Sequence, residues 1–286
     1  DSSTSRGLGD VYKRQHLLTG GVVNYAESID TVAVNLREIA PTVFLGVPRI
    51  WEKLQQGILI RMQDASRFQR WAFKRCFDAG RRLFEKVEAQ GGRRSLSDRL
   101  HFFVLWLLMF RNLQKFIGLD RMQCGFCGGA SVSPEVLKFF RILGIPVYQV
   151  YGMTESGGVI FFQHEKAVKL GATGLPINGL NWKIADDGEL VVKPPAVFKG
   201  YLHDESATAK TVVDGWLHTG DIVALADNGE LMIVDRKKAI IITSGGKNIA
   251  PSEIENALKD SLHVREAIIL GDGRHYLAAL IQIDFD

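Results

Sequence analysis

The residues most able to do chemistry lie in three neighbouring segments of the chain. Trp216–Asp221 ends in a carboxylate, Val234–Lys238 contains a guanidinium and two adjacent lysines, and Ser244–Asn248 is a glycine loop. A carboxylate can accept hydrogen bonds from the 2′ and 3′ hydroxyls of a ribose, and a guanidinium can reach the same sugar or a phosphate. The glycines give the loop conformational freedom. Such a set suits a site that binds a nucleotide's ribose and then moves.

A second candidate segment reads Tyr151, Gly152, Met153, Thr154 and Glu155. The aromatic ring can stack on adenine, and the glycine lets the backbone approach a nucleotide. The threonine hydroxyl can bond a phosphate oxygen, and the carboxylate can bind Mg²⁺. A polar turn after a strand, which any α/β protein can have, is the structural alternative.

A βαβ unit positions this second segment. Residues 122–126 are predicted as a strand, and Gly128-Gly129-Ala130 as a tight loop. Ser133 is predicted to cap a helix that has Pro134 at its first position. A second strand, 145–151, leads into the polar segment. Ligands of open α/β sheets bind at the carboxyl ends of strands, where both loops are expected to lie.

The elements around this unit follow from periodicity and from turn residues. Gly21–Tyr25 and Thr42–Val47 are predicted strands, and apolar residues near the 3.6 period indicate one long amphipathic helix, or two, over 58–90. After Gly171, the Asp-Asp-Gly at 186–188 and the Asp-Asn-Gly at 227–229 predict hairpins in a β-rich subdomain. A strand, a loop, a helix from about Ser252 and a final hairpin are expected at the end.

Composition limits the class of protein. The 286 residues are 46% hydrophobic, which is enough for one large core and a smaller unit. The three cysteines do not form a disulfide framework, which favours a reducing cytoplasm. Cys124 and Cys127 have C-x-x-C spacing, but no second pair follows, so buried strand thiols are preferred over a redox or metal site.

The basic residues are unevenly distributed along the chain. Residues 61–121 contain fourteen Arg or Lys and six Asp or Glu, although the net charge of the chain is only +3. A solvated helical surface is the preferred interpretation, and a face for CoA or anionic lipid is the alternative. We expect no nucleic-acid partner.

The longest apolar run, Phe102–Phe110, is too short to span a bilayer. It is interpreted as a buried helix, with a peripheral membrane contact as the alternative.

Taken together, these motifs resemble the adenylate-forming acyl-CoA synthetases, and most closely the long-chain fatty-acyl-CoA synthetases. The run from Asp214 to Lys238 is similar to the signature of that group nearly residue for residue. The resemblance implies an α/β fold with a large domain of mixed sheets and flanking helices. It also implies a β-rich subdomain and a partial, small α+β C-terminal domain.

The resemblance also implies roles for individual residues. In the family, the residue two beyond the arginine is the hinge of the C-terminal domain; here it is Lys238, followed by Ala239 where an acidic residue is usual. Thr154, Glu155 and Lys238 would be catalytic, with Glu155 as the Mg²⁺ ligand. The glycine loop would reach the pantetheine of CoA, a plain turn being the alternative. The ligand-binding set would be Gly128, Gly129, Ala130, Gln149, Tyr151, Gly152, Met153, Thr154, Asp221, Arg236, Ser244, Gly245 and Gly246.

The resemblance covers residues 16–286. Residues 16–235 are expected to be the later part of the large AMP-binding domain. Residues 236–286 would be the hinge and the start of a truncated C-terminal domain. The polar residues 1–15 are interpreted as a non-native or disordered leader. The family's phosphate loop is expected before residue 16, and its acyl-phosphate lysine beyond residue 286. The fragment alone is therefore expected to be inactive.

These implications define the expected function. The parent protein would use ATP and Mg²⁺ to convert a long-chain fatty acid into acyl-AMP and pyrophosphate, and would then transfer the acyl group to coenzyme A. Val47–Lys53 and the apolar run favour long-chain acids by resemblance. We expect a cytoplasmic protein, either free or peripheral to a membrane. The alternatives are an adenylate-forming enzyme that loads a carrier protein, and a nucleotide-binding module without catalysis.

Overall fold

The computed structural model describes residues 20–28, 30–164, 169–195, 197–261 and 263–283, so the predicted leader at 1–15 lies outside them. The described chain divides into two compact units. Gly20–Gln149 and His164–Leu170 form one, here called the helical unit; Val150–Gln163 and Gly171–Asp286 belong to the other, the β-rich unit. Helices and several sheets are both present, which confirms the predicted α/β class.

The helical unit packs its helices around a short parallel sheet. β2 (Cys124–Cys127) pairs in parallel with β1 (Val43–Gly46) and with the first residues of β3 (Val147–Met153). This pairing places Val43 opposite Cys124 and Cys127 opposite Gln149. The fully buried Trp51 meets Phe140 edge to face, with ring centroids 5.1 Å apart. The elements are α1 (Val32–Ile39), β1 (Val43–Gly46), α2 (Pro48–Gln63), α3 (Arg67–Ala89), α4 (Leu96–Leu105), a π-helical segment (Trp106–Phe110), α5 (Arg111–Ile117), β2 (Cys124–Cys127), α6 (Pro134–Ile142) and β3 (Val147–Met153).

Capping residues determine where these helices begin. Ser66 and Gln69 form a reciprocal capping box at the start of α3, so the periodic stretch over 58–90 belongs to two helices. Ser95 and Asp98 form the same motif at the start of α4. The predicted cap of α6 is confirmed, because the Ser133 hydroxyl accepts from the Glu135 N–H at 3.3 Å.

Two predictions for the helical unit need correction. Residues 21–25 are not a strand and pair with no strand among the described residues, so their β-branched composition is not sufficient without a partner. The apolar run Phe102–Phe110 is helical, as expected, but it is not buried throughout. Phe103, Val104, Leu107 and Leu108 are exposed, because only one side of the run faces the core. Within the described part of the chain, no helix is long and apolar enough to cross a membrane.

The β-rich unit continues from β3 through antiparallel strands. Val150 pairs with Phe162 on the strand Gly158–Phe162. A second sheet is formed, in order, by β10 (Leu231–Arg236), β9 (Trp216–Leu225), β7 (Glu189–Lys193) and β6 (Asn181–Ile184), and β8 (Val212–Val213) also pairs with β9. Both predicted hairpins are present, joining β6 to β7 and β9 to β10. The elements are a 3-10 turn (Thr154–Ser156), β4 (Gly158–Phe162), β5 (Leu175–Pro176), β6 (Asn181–Ile184), β7 (Glu189–Lys193), α7 (Glu205–Thr211), β8 (Val212–Val213), β9 (Trp216–Leu225) and β10 (Leu231–Arg236).

The last part of the β-rich unit consists of two hairpins and a helix. β11 (Ile241–Ile242) pairs with β12 (Asn248–Ile249), and α8 (Pro251–Lys259) follows. β13 (Val264–Leu270) and β14 (Ala278–Ile283) form the predicted final hairpin. The Ile269 N–H donates to the Glu255 carboxylate at 2.8 Å and so links the hairpin to α8.

Candidate functional site

Three of the predicted nucleotide-binding residues form one cluster in the β-rich unit. The Tyr151 hydroxyl donates to Oδ2 of Asp221 at 2.5 Å, and Nε of Arg236 lies 2.9 Å from Oδ1. Asp221 on β9 is directly opposite Arg236 on β10 in the strand register. The hairpin turn at residues 227–229 sets the pairing as far as Ile233 and Val223, and a bulge between Ile233 and Asp235 then shifts it by one residue. This shift places Arg236 opposite Asp221. The structure therefore joins an aromatic ring, a carboxylate and a guanidinium.

The burial of Asp221 is unusual for a carboxylate. Alternation along β9 places it on the same side as the buried Leu217, Thr219 and Val223. Its side chain is only 4% exposed, whereas that of Arg236 is 64% exposed. Burial raises the pKa of the Asp221 carboxyl, and the hydrogen bond from Tyr151 and the charge of Arg236 oppose that effect. A buried carboxylate is retained only where such partners compensate its desolvation.

This cluster still has capacity for a ligand. Each carboxylate oxygen can accept about two hydrogen bonds, and each oxygen of Asp221 has one described protein donor. The two oxygens therefore have acceptor capacity for two further donors, such as the neighbouring hydroxyls of a ribose. Arg236 is the solvent-exposed partner, so its displacement is the simplest way to open the carboxylate to a ligand.

Thr154 and Glu155 lie in the short 3-10 turn that follows β3. Oε1 of Glu155 accepts a hydrogen bond from the Tyr201 hydroxyl at 2.8 Å, and its backbone carbonyl accepts from the Phe198 N–H at 3.0 Å. Ser156 closes the turn, because its hydroxyl bonds the N–H and the carbonyl of Met153. The turn is thus tied to the segment that contains Tyr201, a residue that no sequence motif indicates.

Glu155 offers a single carboxylate to the Mg²⁺ ion that the sequence predicts. Among the described residues, no group of three or more His, Cys, Asp or Glu could hold a metal ion. Mg²⁺ in nucleotide sites is commonly held by one or two carboxylates together with phosphates and water. A single carboxylate beside the exposed hydroxyl of Thr154 is consistent with that arrangement, so Glu155 stays the predicted ligand.

The fold requires glycine at position 152 for a packing reason that the sequence did not indicate. A Cβ at this position would lie 2.1 Å from the Gly158 carbonyl oxygen on β4. The absence of a side chain is therefore required where β3 and β4 approach each other closely. A role in admitting a nucleotide stays a prediction.

The remaining predicted pocket residues lie in the helical unit. Gly128, Gly129 and Ala130 follow directly after β2, as predicted. Gly129 has φ +91°, a conformation that favours glycine. Gln149 is buried on β3 opposite Cys127, so the neighbouring strand places it at the base of the loop. Burial raises the pKa of the Cys127 thiol, which suits a core thiol and not a reactive one.

Lys238, the predicted hinge, lies in an exposed turn after β10. The turn is closed by hydrogen bonds from the N–H groups of Ala239 and Ile240 to the Arg236 carbonyl, at 2.9 and 3.2 Å. On the strand side of this turn, Oδ2 of Asp235 accepts from the Ser252 N–H at 2.9 Å. Asp235 thus caps the start of α8 from the other side of the predicted hinge.

Sequence reasoning missed a charged cluster beside the Asp221–Arg236 pair. Nζ of Lys237 lies 2.5 Å from Asp187 and 2.9 Å from Glu189. The other oxygen of Glu189 accepts from the Gly220 N–H at 2.9 Å. Burial raises the pKa of Glu189, but the bonds from Lys237 and Gly220 outweigh it and lower the pKa below the ordinary value. One signal in the sequence could have indicated this cluster. Glu189 is a charged residue that directly follows the Asp-Asp-Gly turn, at a strand position that faces the core.

The predicted CoA loop is the turn of the β11–β12 hairpin, not a strand-to-helix turn. The Ser244 N–H donates to the Arg274 carbonyl at 3.0 Å, and its hydroxyl lies 2.6 Å from Nδ1 of His275. Gly246 has φ +77°, and a Cβ there would meet no atom within 4 Å. The loop is anchored at Ser244 and open at the two glycines.

The chain matches the AMP-binding enzyme family over residues 15–202, and the C-terminal domain of AMP-binding enzymes over residues 238–284. The chain therefore belongs to the AMP-binding enzyme family.

Curated relatives are fatty-acid–CoA ligases by name. The chain is 37% identical over 265 residues to the Mycobacterium tuberculosis protein named fatty-acid–CoA ligase fadD11, covering 90% of this chain and 45% of that protein. It is 33% identical over 263 residues to long-chain-fatty-acid–CoA ligase FadD15 of Mycobacterium bovis, covering 92% and 43%. The chain thus spans less than half the length of these relatives.

Solved structures show the same fold. O-succinylbenzoate CoA synthetase from Bacillus subtilis with its acyl-adenylate OSB-AMP has a TM-score of 0.65 at 24% identity, covering 98% of this chain and 49% of that one. The same enzyme in complex with ATP and magnesium has a TM-score of 0.57 at 25% identity, covering 89% and 44%. The fold is that of an adenylate-forming enzyme.

Proposed function

We propose that this chain is part of a long-chain fatty-acid–CoA ligase. The observation that carries the proposal is the buried carboxylate of Asp221, bonded to Tyr151 and Arg236 in a chain whose relatives are named fatty-acid–CoA ligases. The relatives are longer than this chain, so the activity is proposed for a longer protein that contains it.

The proposed reaction has two steps. A carboxylate is a poor acyl donor because its leaving group would be an oxide. In the first step, a fatty-acid carboxylate oxygen attacks the α-phosphorus of ATP and the bond to pyrophosphate breaks, which gives acyl-AMP. In the second step, the sulfur of CoA attacks the acyl carbon and AMP leaves as a stable anion. In each step the protein must hold the two reacting groups close together and correctly oriented, and must exclude water.

The residues of the β-rich unit have defined tasks in this proposal. Asp221 binds the two ribose hydroxyls, and Arg236 contacts the sugar or the α-phosphate. The ring of Tyr151 stacks on adenine while its hydroxyl holds Asp221 in place. Thr154 donates to a phosphate oxygen, and Glu155 holds Mg²⁺. Bound Mg²⁺ would neutralise charge on the phosphates.

The proposal includes a movement between the two steps. Lys238 is the hinge, and the loop at 244–246 approaches the pantetheine of CoA. The start of the second family match at residue 238 supports a domain boundary near Arg236, with residues 16–235 in the large domain and 236–286 in the small one. The two glycines of the loop have no side chains, so the backbone there can approach the narrow pantetheine chain closely. By resemblance, Gly128–Ala130 and Gln149 of the helical unit are proposed to bind adenine and the acyl group. The three free thiols support a cytoplasmic location.

The proposal is tested by the CoA dependence of AMP release. A longer protein containing this chain is supplied with ATP, Mg²⁺ and palmitate, and AMP is followed with and without CoA. We expect AMP release to need CoA for repeated turnover. AMP release that is indifferent to CoA but is accelerated by a carrier protein would contradict the proposal, as would turnover with aryl acids and not with palmitate.

A further inference from the structure

The residue proposed to bind the ribose, Asp221, lies in an irregular part of β9. Glu189 of β7 is opposite Ile222, whereas Val191 of β7 is opposite His218. Two residue steps on β7 therefore correspond to four on β9, so β9 bulges between these two pairs. Asp221 belongs to the bulge. A bulge changes the direction of a side chain, so contacts other than regular strand pairing must fix the position of this carboxylate.

Gly220, the residue directly before Asp221, has both of its backbone polar groups bonded. Its N–H donates to Oε1 of Glu189 at 2.9 Å, and its carbonyl accepts from the N–H of Lys237 at 2.8 Å. Gly220 has φ +71°, a conformation that favours glycine. The bulge is thus held by β7 on one side and by the turn after β10 on the other.

An ion pair joins the two residues that hold Gly220. Nζ of Lys237 lies 2.9 Å from Oε2 of Glu189, so this carboxylate bonds the Gly220 N–H with one oxygen and the ammonium with the other. Asp187 bonds the same ammonium, and Nδ1 of His218 lies 3.5 Å from Oε2 of Glu189. The Glu189 side chain is only 8% exposed. A buried carboxylate that loses its cation is left uncompensated, so this pair differs from an ordinary surface ion pair.

The two ends of this ion pair are adjacent in the chain to the two charged residues of the proposed ribose site. Lys237 directly follows Arg236, and the Gly220 that Glu189 holds directly precedes Asp221. Arg236 and Asp221 are in turn opposite each other, with Nε 2.9 Å from Oδ1. A displacement of the ion pair would therefore be passed through the backbone to both charged residues.

We propose that the Glu189–Lys237 ion pair positions Asp221 and Arg236 for the ribose hydroxyls of the nucleotide. Both members are positioning residues, because they act on the backbone beside the site and are assigned no contact with substrate. The inference rests on the proposed function, since it requires Asp221 to bind the ribose. The alternative is a pair that only stabilises the β-rich unit, which would affect folding and not the choice of nucleotide.

The experiment compares two nucleotides that differ only in the ribose hydroxyls. AMP and 2′,3′-dideoxy-AMP are titrated by calorimetry into a longer protein that contains this chain. The ratio of their affinities, here called the hydroxyl preference, measures recognition of the two hydroxyls. A general loss of folding or of adenine binding weakens both nucleotides and leaves the ratio unchanged.

Glu189→Gln and Lys237→Met each break the ion pair and nearly preserve side-chain size. Each should lower the hydroxyl preference by roughly three- to tenfold, the effect of one ordinary hydrogen bond. The double variant should lose no more than the larger single loss, because the two residues act as one unit. Lys237→Arg keeps the cation and should retain the preference. If Glu189→Gln fails to fold, Lys237→Met decides, since the lysine side chain is 45% exposed.

A second ion pair of the same unit is the matched control. Nζ of Lys259 lies 3.3 Å from Glu266, and Lys259→Met and Glu266→Gln should leave the hydroxyl preference unchanged. An unchanged preference in Lys237→Met would overturn the proposal. Equal losses in the control variants, or additive losses in the double variant, would also overturn it.

Asp221→Asn separates failure of this inference from failure of the proposed function. If Asp221→Asn abolishes the hydroxyl preference while the ion-pair variants retain it, Asp221 binds the ribose but the ion pair does not position it. If Asp221→Asn itself retains the preference, the ribose-binding role of Asp221 is wrong and this inference falls with it. The expected result is a loss in Asp221→Asn that is larger than the loss in either ion-pair variant.

Discussion

The hydroxyl of Tyr151 donates a 2.5 Å hydrogen bond to the carboxylate of Asp221, seventy residues further along the chain. The bond connects the end of β3 to the buried side of β9, both in the β-rich unit. It means that two residues with separate predicted roles, base stacking and ribose binding, are mechanically linked. A change in one is therefore expected to affect the function of the other.

Tyr151→Phe tests this link, because it keeps the ring and removes only the hydroxyl. A hydrogen bond to a charged group contributes about 1.5–3 kcal/mol, so we expect AMP affinity to fall by roughly tenfold or more. Isothermal titration calorimetry with AMP provides the measurement. Tyr276→Phe, a change at an exposed tyrosine of the same unit, is the control. Unchanged affinity in Tyr151→Phe would mean that the hydroxyl does not position Asp221.

Asp221→Asn should weaken nucleotide binding more strongly, by about 2–4 kcal/mol, because it removes a charge-assisted acceptor for two hydroxyls. The wild-type affinity should also depend on pH. Since burial raises the Asp221 pKa, the ionised form is lost at a higher pH than for an ordinary carboxyl, and affinity should fall as pH falls through that pKa. The variant should lack this dependence. Asp227→Asn in the exposed hairpin turn is the control, and a similar loss there would argue against a specific role.

Glu155→Gln keeps the size of the side chain and removes its charge. If Glu155 is the Mg²⁺ ligand, the rate of acyl-AMP formation in a longer protein containing this chain should fall, and its Mg²⁺ requirement should rise. The variant retains an oxygen that can accept from Tyr201, so the turn should be preserved. Glu88→Gln, on the exposed side of α3, is the comparison. A Mg²⁺ dependence equal to that of the wild type would remove Glu155 from the metal site.

Lys238→Pro should separate the two half-reactions. Lys238 occupies the third position of the turn that Ala239 closes onto Arg236, where proline forces the preceding residue out of the helical region. The variant should therefore disfavour the observed turn and restrict the hinge. We expect acyl-AMP formation to survive better than transfer to CoA, measured by single-turnover kinetics in the longer protein. Lys238→Ala, which permits the turn, is the control. Equal slowing of both steps would make Lys238 an ordinary turn residue.

Asp98→Asn should reduce the loss of unfolding free energy that occurs when the pH falls into the acid range. The Lys86 ammonium, with the hydroxyl and N–H of Ser95, lowers the pKa of Asp98 to about 2. A lowered folded-state pKa contributes stability that is complete above the ordinary carboxyl pKa, near 4, and is lost as pH falls towards 2. The wild type should therefore exceed the variant in unfolding free energy at neutral pH, and the difference should shrink in that acid range. The measurement is urea denaturation at neutral pH and in the acid range between about 4 and 2. Asp64→Asn, a change at an exposed aspartate, is the control. A difference independent of pH would contradict the assignment.

The sequence alone determined the local features, because these depend on neighbouring residues. The cap at Ser133, the two Asp-containing hairpin turns and the periodic helices of 58–90 were predicted from spacing and turn chemistry, and they are present. The motif resemblance also gave the family, since Tyr151–Glu155 and Asp214–Lys238 are contiguous segments. The assignments of individual ligand contacts stay predictions.

Only the tertiary structure decided which distant groups share an environment. The Tyr151–Asp221 bond, the Lys237–Glu189 pair and the Asp235–Ser252 cap each join different elements, and no local rule specifies such pairs. The same holds for burial. The periodicity of Phe102–Phe110 indicates a helix, but which side faces the core depends on the elements packed against it. Hydropathy records the affinity of a side chain for an apolar environment, whereas its exposure is fixed by the rest of the fold.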